Sequence, residues 1–373
     1  MRQDTVIVGV LIFLAGIISI EIGFSTAILE ILAGVLASNV LGVHSVEWLD
    51  FLADFGLVGI MFYAGFEVDP KLLKQNLIVN IFLGAIAYFI PLIAIFSILS
   101  TFLGFPFRKV LLIAISLSTT SLALVYAVLR EKKIIEKEYS QIILGGALIT
   151  DVLSILSLPF LAGTFPLSAI FYVALAIIFM FLSPKLGKWV FSRYRRSLVE
   201  LEMRLVLLLL IILPLIAERT LISEAVLAFL LGVLFSEIVE EDVAIQEKLR
   251  GIIFGFLAPA FFFRAGLFIN LSTITINSVI LLLLLIPLTF VAKYLSVFVT
   301  SWVCVGREVS KIAGLFFVFN LTFGIIAAVY GLSAGIIDTE LYTVLLLTIL
   351  VTTLVSSIIL RVTPEELYEQ TFT

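Results

Sequence analysis

The stretch GGALITDVLSI, residues 145–155, reads as the middle of a membrane helix in every side chain but one. The exception is Asp151, and no basic residue stands between Lys137 and Lys185 to neutralise it along the chain. The apolar run around it extends over roughly 139–163, enough for a helix to cross a hydrocarbon core, which takes about 20 residues. Continuous apolarity over that length excludes a barrel strand, which would alternate over about ten residues. A carboxylate at such a depth costs at least about 2.5 kcal/mol on insertion scales, so it is kept where it faces a cavity and has a task.

Similar runs recur along the whole chain. Of its 373 residues 62% are hydrophobic and 13% charged, with a mean hydropathy of +1.25, whereas soluble domains are roughly half apolar. Apolar runs cut by charges, Gly/Pro pairs and short polar links mark about thirteen spans. They fall near 5–22, 26–43, 48–66, 76–102, 107–130, 139–163, 165–184, 201–217, 221–238, 250–269, 276–301, 308–330 and 336–361. Only helices can span as such continuous runs. The expected fold is an all-α polytopic membrane protein forming a single unit over 1–373. The N-terminal MRQDT lacks the basic start and cleavage pattern of a secretory signal, so the first helix is expected to remain. With Pro184 to Arg204 as the longest polar stretch and a short tail over 362–373, no appended nucleotide-binding module is expected.

Several function classes drop out here. The lone Cys304 excludes an intramolecular disulfide or a cysteine metal cluster, and the lone His44 argues against a histidine metal site. No cofactor is expected. Clustered Lys/Arg with interleaved aromatics, the footprint of nucleic-acid binding, is absent. The basic residues instead set the orientation. With the N-terminus outside, only Arg2, Arg108, Lys109 and Arg219 stay outside, Arg264 and Lys293 fall within spans, and the other seventeen of the 23 gather on one side. That side is cytoplasmic by the positive-inside rule, and the C-terminus lies there too. A multi-pass protein of the cell membrane follows.

An odd number of spans with a central one suggests two six-helix halves of opposite orientation, 1–163 and 201–361, joined by a linker helix and loop over 164–200. Inverted repeats are a transporter design, and matched helices of the two halves are then expected to break at mid-membrane and offer backbone groups to an ion. Both candidates exist. SLSTTSLAL (116–124) interrupts an apolar run with Ser116, Ser118, Thr119, Thr120 and Ser121, and seven spans later FNLTFG (319–324) does so with Asn320, Thr322 and Gly324. Hydroxyl residues in a membrane helix often bond only to their own backbone. Their matched places in the two halves favour the functional reading.

Asp151 can take up a proton or ligate a monovalent cation, and the two acts exclude each other at one charge. If the loaded site alone crosses, competition becomes exchange. Its helix adds Gly145 and Gly146 for close packing, and Thr150, Ser154 and Ser157 as neutral oxygens. Lys293, in LTFVAKYLSVF, lies too far from either end of its span to snorkel, so it is expected to compensate charge at Asp151 or at the broken-helix ends. Arg264, in PAFFFRAGLFI, holds its charge permanently and is expected to serve structure. Glu224, in LISEAVLAF, is its expected partner or a second ion ligand. Glu67 falls at the cytoplasmic boundary, mainly structural, with a pH-sensing or cation-gathering role as the alternative.

Several of these stretches resemble, in order, the monovalent cation:proton antiporters, in particular the branch with sodium/proton antiporters and Kef-like potassium efflux systems. ILEILAGVLASNVLG (28–42) is similar to the family's second-helix signature, with Ser38 where proline is usual. GLVGIMFYAGFEVD (56–69) resembles its F-x-x-G-L-E stretch, with Phe66 for leucine. GGALITDVLSI resembles the ion-site helix, with Thr150 where an Asp, Asn or Gln commonly precedes the aspartate. LAPAFFFRAGLFINL, VAKYL and GREVSKIAGLFFVFNLTFG resemble later stretches, the last approaching the second broken helix. The resemblance covers almost the whole chain. It implies the sodium/proton antiporter fold, in which a core with crossed broken helices moves like an elevator against a dimerisation domain, and a homodimer. It implies that Asp151 is the shared proton and cation site, with Thr120 among the broken-helix oxygens, and Thr150 points to one-for-one exchange. Na+ is the expected cation. The alternatives are a Kef-like K+ efflux system, by antiport or channel, and an intramembrane aspartyl protease, which would need a second intramembrane aspartate.

Overall fold

A computed structural model describes residues 2–23, 25–66, 76–102, 104–132, 134, 137–157, 161, 167–194, 200–220, 224–239 and 243–363. Regular structure among the described residues is helical throughout. The helices are α1 (Arg2–Ile22), α2 (Thr26–Asn39), α3 (Glu47–Phe66), α4 (Leu77–Phe102), α5 (Phe107–Ser118), α6 (Leu122–Glu131), α7 (Glu138–Ser157), α8 (Leu167–Tyr194), α9 (Leu201–Thr220), α10 (Glu224–Val239), α11 (Val243–Ile252), α12 (Ala258–Leu267), α13 (Ile276–Cys304), α14 (Arg307–Phe317), α15 (Leu321–Ser333) and α16 (Thr339–Val362). A π-helical turn, Ile253–Leu257, joins α11 to α12. Seven segments among the described residues are long and apolar enough to cross a membrane by length and composition.

Helix α8 runs on to Tyr194 past the expected end near 184, two other boundaries differ for physical reasons, and the two expected breaks are present. Helix α2 stops at Asn39 instead of running to 43, and Gly42 beyond it takes the left-handed φ of +64° that ends helices. The span expected from 250 starts at Val243, because VAIQEKLRGI is amphipathic and continues the helix into its polar approach. The spans at 107–130 and 308–330 are each two half-helices, α5 with α6 and α14 with α15.

The chain folds as two compact units that draw on both sequence halves: Met1–Asp69 with Ala162–Leu267, and Pro70–Leu161 with Phe268–Thr373. In the first unit, α3 packs on α10 and α2 on α12. Both seams are made by reciprocal glycines. A Cβ on Gly65 would run into Phe229 O and one on Gly232 into Phe62 O, while Gly34 faces Phe263 O and Gly266 faces Ile31 O. With lipid outside as apolar as the helices, such backbone-to-backbone approach is what drives association. Gly232→Val is therefore expected to destabilise the fold by at least about 1–3 kcal/mol, whereas Gly16→Val, where a Cβ meets nothing within 4 Å, leaves it unchanged. Thermal melting in detergent reads the difference; equal melting temperatures would show the seam to be unimportant.

The second unit holds both broken helices. Within it α4 packs on α5, α7 and α13, α13 on α14 and α16, and α15 on α5 and α16. A buried apolar cluster that includes Leu83, Ala147, Phe316, Phe317 and Phe319 surrounds these contacts. Helix α7 approaches closely through its glycines: a Cβ on Gly84 would lie 2.6 Å from Gly146 O, and Gly145 stands against the Asn80 amide. That contact sets the depth and rotation of the helix carrying Asp151.

Candidate functional site

The first break opens after Ser118, where Thr119 turns extended (φ −68°, ψ 163°), and closes at Leu122. Five hydroxyl residues within six positions compete with the helical ladder and leave carbonyls at the end of α5 and N–H groups at the start of α6 without helical partners. Two charged side chains from other helices take up opposite ends. The Lys293 ammonium, fully buried on α13, donates to Thr119 O, at the negative end of α5. Leu122 N–H, at the positive end of α6, donates to Asp151 Oδ2 at 3.4 Å. Asp151 is 3% exposed, and its Oδ1 has no hydrogen-bond partner. The two charges also act on each other electrostatically. Of the two partners expected for Lys293, the direct one is thus the broken-helix end.

The second break, between Phe317 and Leu321, meets the first. Ser121 N–H donates to Phe319 O at 2.5 Å, the Thr120 hydroxyl donates to Phe317 O at 3.2 Å, and the Ser121 and Thr322 hydroxyls lie 2.9 Å apart. Residues of one break therefore satisfy carbonyls of the other, which fixes the crossing of the two polypeptide segments. Behind the second break stands α16. Its Ser356 hydroxyl donates to Leu315 O at 2.6 Å, and its Thr352 and Thr353 hydroxyls lie 3.3 and 3.2 Å from the amide of Asn320.

The remaining expected site residues divide clearly. Ser118, Thr119, Thr120, Ser121, Thr150 and Asn320 are fully buried and Ser154 nearly so. Ser118 and Thr119 hydroxyls have no hydrogen-bond partner. Thr150 donates to Ala147 O at 2.6 Å and Ser154 to Thr150 O at 2.7 Å, so both protons return to their own helix while their lone pairs stay available. Three residues on from Asp151, Ser154 shares its face; Thr150, its immediate neighbour, stands on the flank.

Arg264 and Glu224 belong to the other compact unit. The hydrogen-bonded partners of Arg264 are residues that sequence reasoning did not single out: Nη2 donates to Asp54 Oδ1 at 2.5 Å and Nη1 to Asp50 O at 3.1 Å, with Asp50 Oδ1 3.5 Å away. Glu224 interacts electrostatically with both Arg264 and Asp54. The available signal was the spacing of Glu47, Asp50 and Asp54 in EWLDFLAD, which puts Asp50 and Asp54 on one face at the start of a helix that is apolar beyond them. Glu67 lies outside the described residues.

A buried acid and a buried base on opposite ends of one broken helix, with a second break crossing it, is an ion-handling arrangement, and comparison with known proteins agrees. The family described as "Sodium/hydrogen exchanger, transmembrane" matches residues 9–364. The chain belongs to the sodium/hydrogen exchanger family. Among its relatives is the probable Na(+)/H(+) antiporter 3 of Methanocaldococcus jannaschii, 29% identical over 351 residues, covering 90% of this chain and 89% of that one. The Na(+)/H(+) antiporter of Enterococcus hirae is 24% identical and covers 94% of each chain. The Na(+)/H(+)-K(+) antiporter GerN of Bacillus cereus is 22% identical, covering 94% of this chain and 92% of that one. The structure of the sodium proton antiporter MjNhaP1 from Methanocaldococcus jannaschii superposes with a TM-score of 0.73 over 99% of each chain, at 17% identity, so the fold is shared. Exchanger-family membership makes the protein a membrane transporter and removes the aspartyl protease alternative.

Proposed function

We propose that the protein exchanges a monovalent cation, Na+ first, for H+ across the cell membrane, with both competing for Asp151. The observation that carries this is the carboxylate itself: it is buried, has one oxygen engaged by the Leu122 N–H and the other without a partner, and lies beside the crossing. Loaded with H+ or with a monovalent cation, Asp151 is neutralised in either case, so with Lys293 unchanged between them both loaded forms carry the same charge. Exchange is then one-for-one. The neutral oxygens of Ser154, Thr120 and Thr150 complete the coordination, Ser154 from the same face of α7. Lys293 holds the end of α5 in place while the carboxylate alternates.

Matched packing supports the inverted repeat. Exchanging the halves 1–163 and 201–361 turns the pair α2 with α12 into α10 with α3, and the pair α4 with α7 into α13 with α16, and each of these four pairs is in contact. We assign the unit holding Asp151 as the moving core and the glycine-seamed unit as the dimerisation domain of a homodimer, with the N-terminus outside. Arg264 with Asp50, Asp54 and Glu224 then serves the scaffold.

The test is proton movement in reconstituted liposomes holding an imposed pH gradient, after addition of Na+, K+ or Li+. Potassium is included because the name of one relative specifies it. Dissipation by at least one cation is expected. Failure of every cation at every pH tested would overturn exchange, and a gradient-independent K+ flux in the same vesicles would favour the Kef-like alternative.

A further inference from the structure

Asn320 pairs more of its amide N–H donors in one of its two orientations than in the other. It is fully buried in the second break, and its amide lies against Thr352 and Thr353 of α16 at 3.3 and 3.2 Å. An amide has two N–H donors and one carbonyl acceptor; a hydroxyl has one proton and two lone pairs. With the carbonyl oxygen towards the threonines, the Asn320 Nδ2 group has no partner. The single Thr352 proton then also faces three acceptors, the others being Thr348 O at 2.8 Å and Ile349 O at 3.1 Å. Each buried unpaired donor costs about 1–3 kcal/mol.

A half-turn of the amide interchanges N and O in nearly the same places. Thr352 then keeps its proton on Thr348 O and accepts one N–H, Thr353 accepts the other, and the Thr353 hydroxyl proton gives up the amide oxygen. The Asn320 carbonyl oxygen then takes the buried place, away from Thr352 and Thr353, where the amide has no partner. A hard neutral oxygen there suits an alkali cation, whereas an NH2 group would repel one. We propose that the side-chain carbonyl of Asn320, oriented by Thr352 and Thr353, is a ligand of the transported cation that the proton does not use. The proposal rests on exchange at Asp151, and it gives the cation one oxygen site from each arm of the crossing.

The discriminating measurement is the cation concentration at half-maximal dissipation, together with the rise in melting temperature that Na+ or K+ gives over choline in detergent. For Asn320→Ala, half-saturation is expected to rise at least about tenfold, equivalent to about 1.4 kcal/mol. Its melting temperature in choline is lowered, and on top of that its cation-dependent rise disappears. Asn320→Asp, which keeps an oxygen, retains that rise. Removing both hydroxyls with Thr352→Val and Thr353→Val weakens the cation several-fold, while Thr353→Ser matches wild type. Wild-type half-saturation in Asn320→Ala overturns the proposal while leaving exchange intact. If that variant does not fold, wild-type half-saturation in the double valine variant overturns it equally. Absence of exchange in the wild-type protein itself would sink both readings.

Discussion

Asp151→Asn is expected to reduce cation-dependent proton movement to the level of empty liposomes, the largest functional loss of any single substitution in this chain. The change removes one charge and little else. An asparagine oxygen still accepts from Leu122 N–H, so α6 keeps the cap that now lies 3.4 Å from the carboxylate, and Lys293 keeps Thr119 O. The variant is therefore expected to purify as a folded protein with a lowered melting temperature, since Lys293 keeps the Thr119 carbonyl but loses its counter-charge. It can neither bind a proton at neutral pH nor neutralise a cation, and both halves of the exchange stop together. The wild-type protein has a matching signature. When proton and cation compete for one carboxylate, lowering the pH by one unit raises the half-saturating cation concentration by up to about tenfold. A half-saturation that ignores pH, or exchange surviving in Asp151→Asn, would place the shared site elsewhere.

Much of this arrangement was legible in the sequence because membrane solvation makes exceptions conspicuous. In a chain so apolar, Asp151 and Lys293 stand out as single charges, and the hydroxyl cluster at 116–121 and the Asn, Thr and Gly of 319–324 as interruptions of helical runs. What stayed hidden were pairings between helices far apart in the chain. Periodicity places Asp50 and Asp54 on one face of α3, but it does not say that Arg264, more than two hundred positions later, packs there. Glu224 looked the more natural partner for Arg264 because both were read as intramembrane, whereas the short contact is to Asp54. The same limit applies to Lys293, whose direct partner is a backbone carbonyl, invisible as a residue type. Thr352 and Thr353 sit in a helix otherwise read as a plain final span, and only the position of Asn320 gives their hydroxyls a task. Nor does any local signal reveal that the compact units divide at Leu161 and Leu267 and so interleave the halves.

Lys293→Met is expected to be the most destabilising of the charge substitutions, and the reason separates a paired charge from a merely buried one. Methionine preserves the unbranched bulk but removes the donor to Thr119 O and, among the described residues, the positive charge that acts on Asp151. Removing one member of a buried pair costs about 3–5 kcal/mol, because the other is left uncompensated. The double variant Lys293→Met, Asp151→Asn settles the origin, since it leaves no unpaired charge at the crossing. It is expected to recover at least half of the stability lost in Lys293→Met and to remain inactive, a non-additivity that only interacting groups produce. Lys293→Arg keeps the charge and should melt close to wild type. If the double variant is instead as unstable as the sum of its parts, Lys293 acts only on the end of α5, and the charge balance proposed for one-for-one exchange has to be drawn without it.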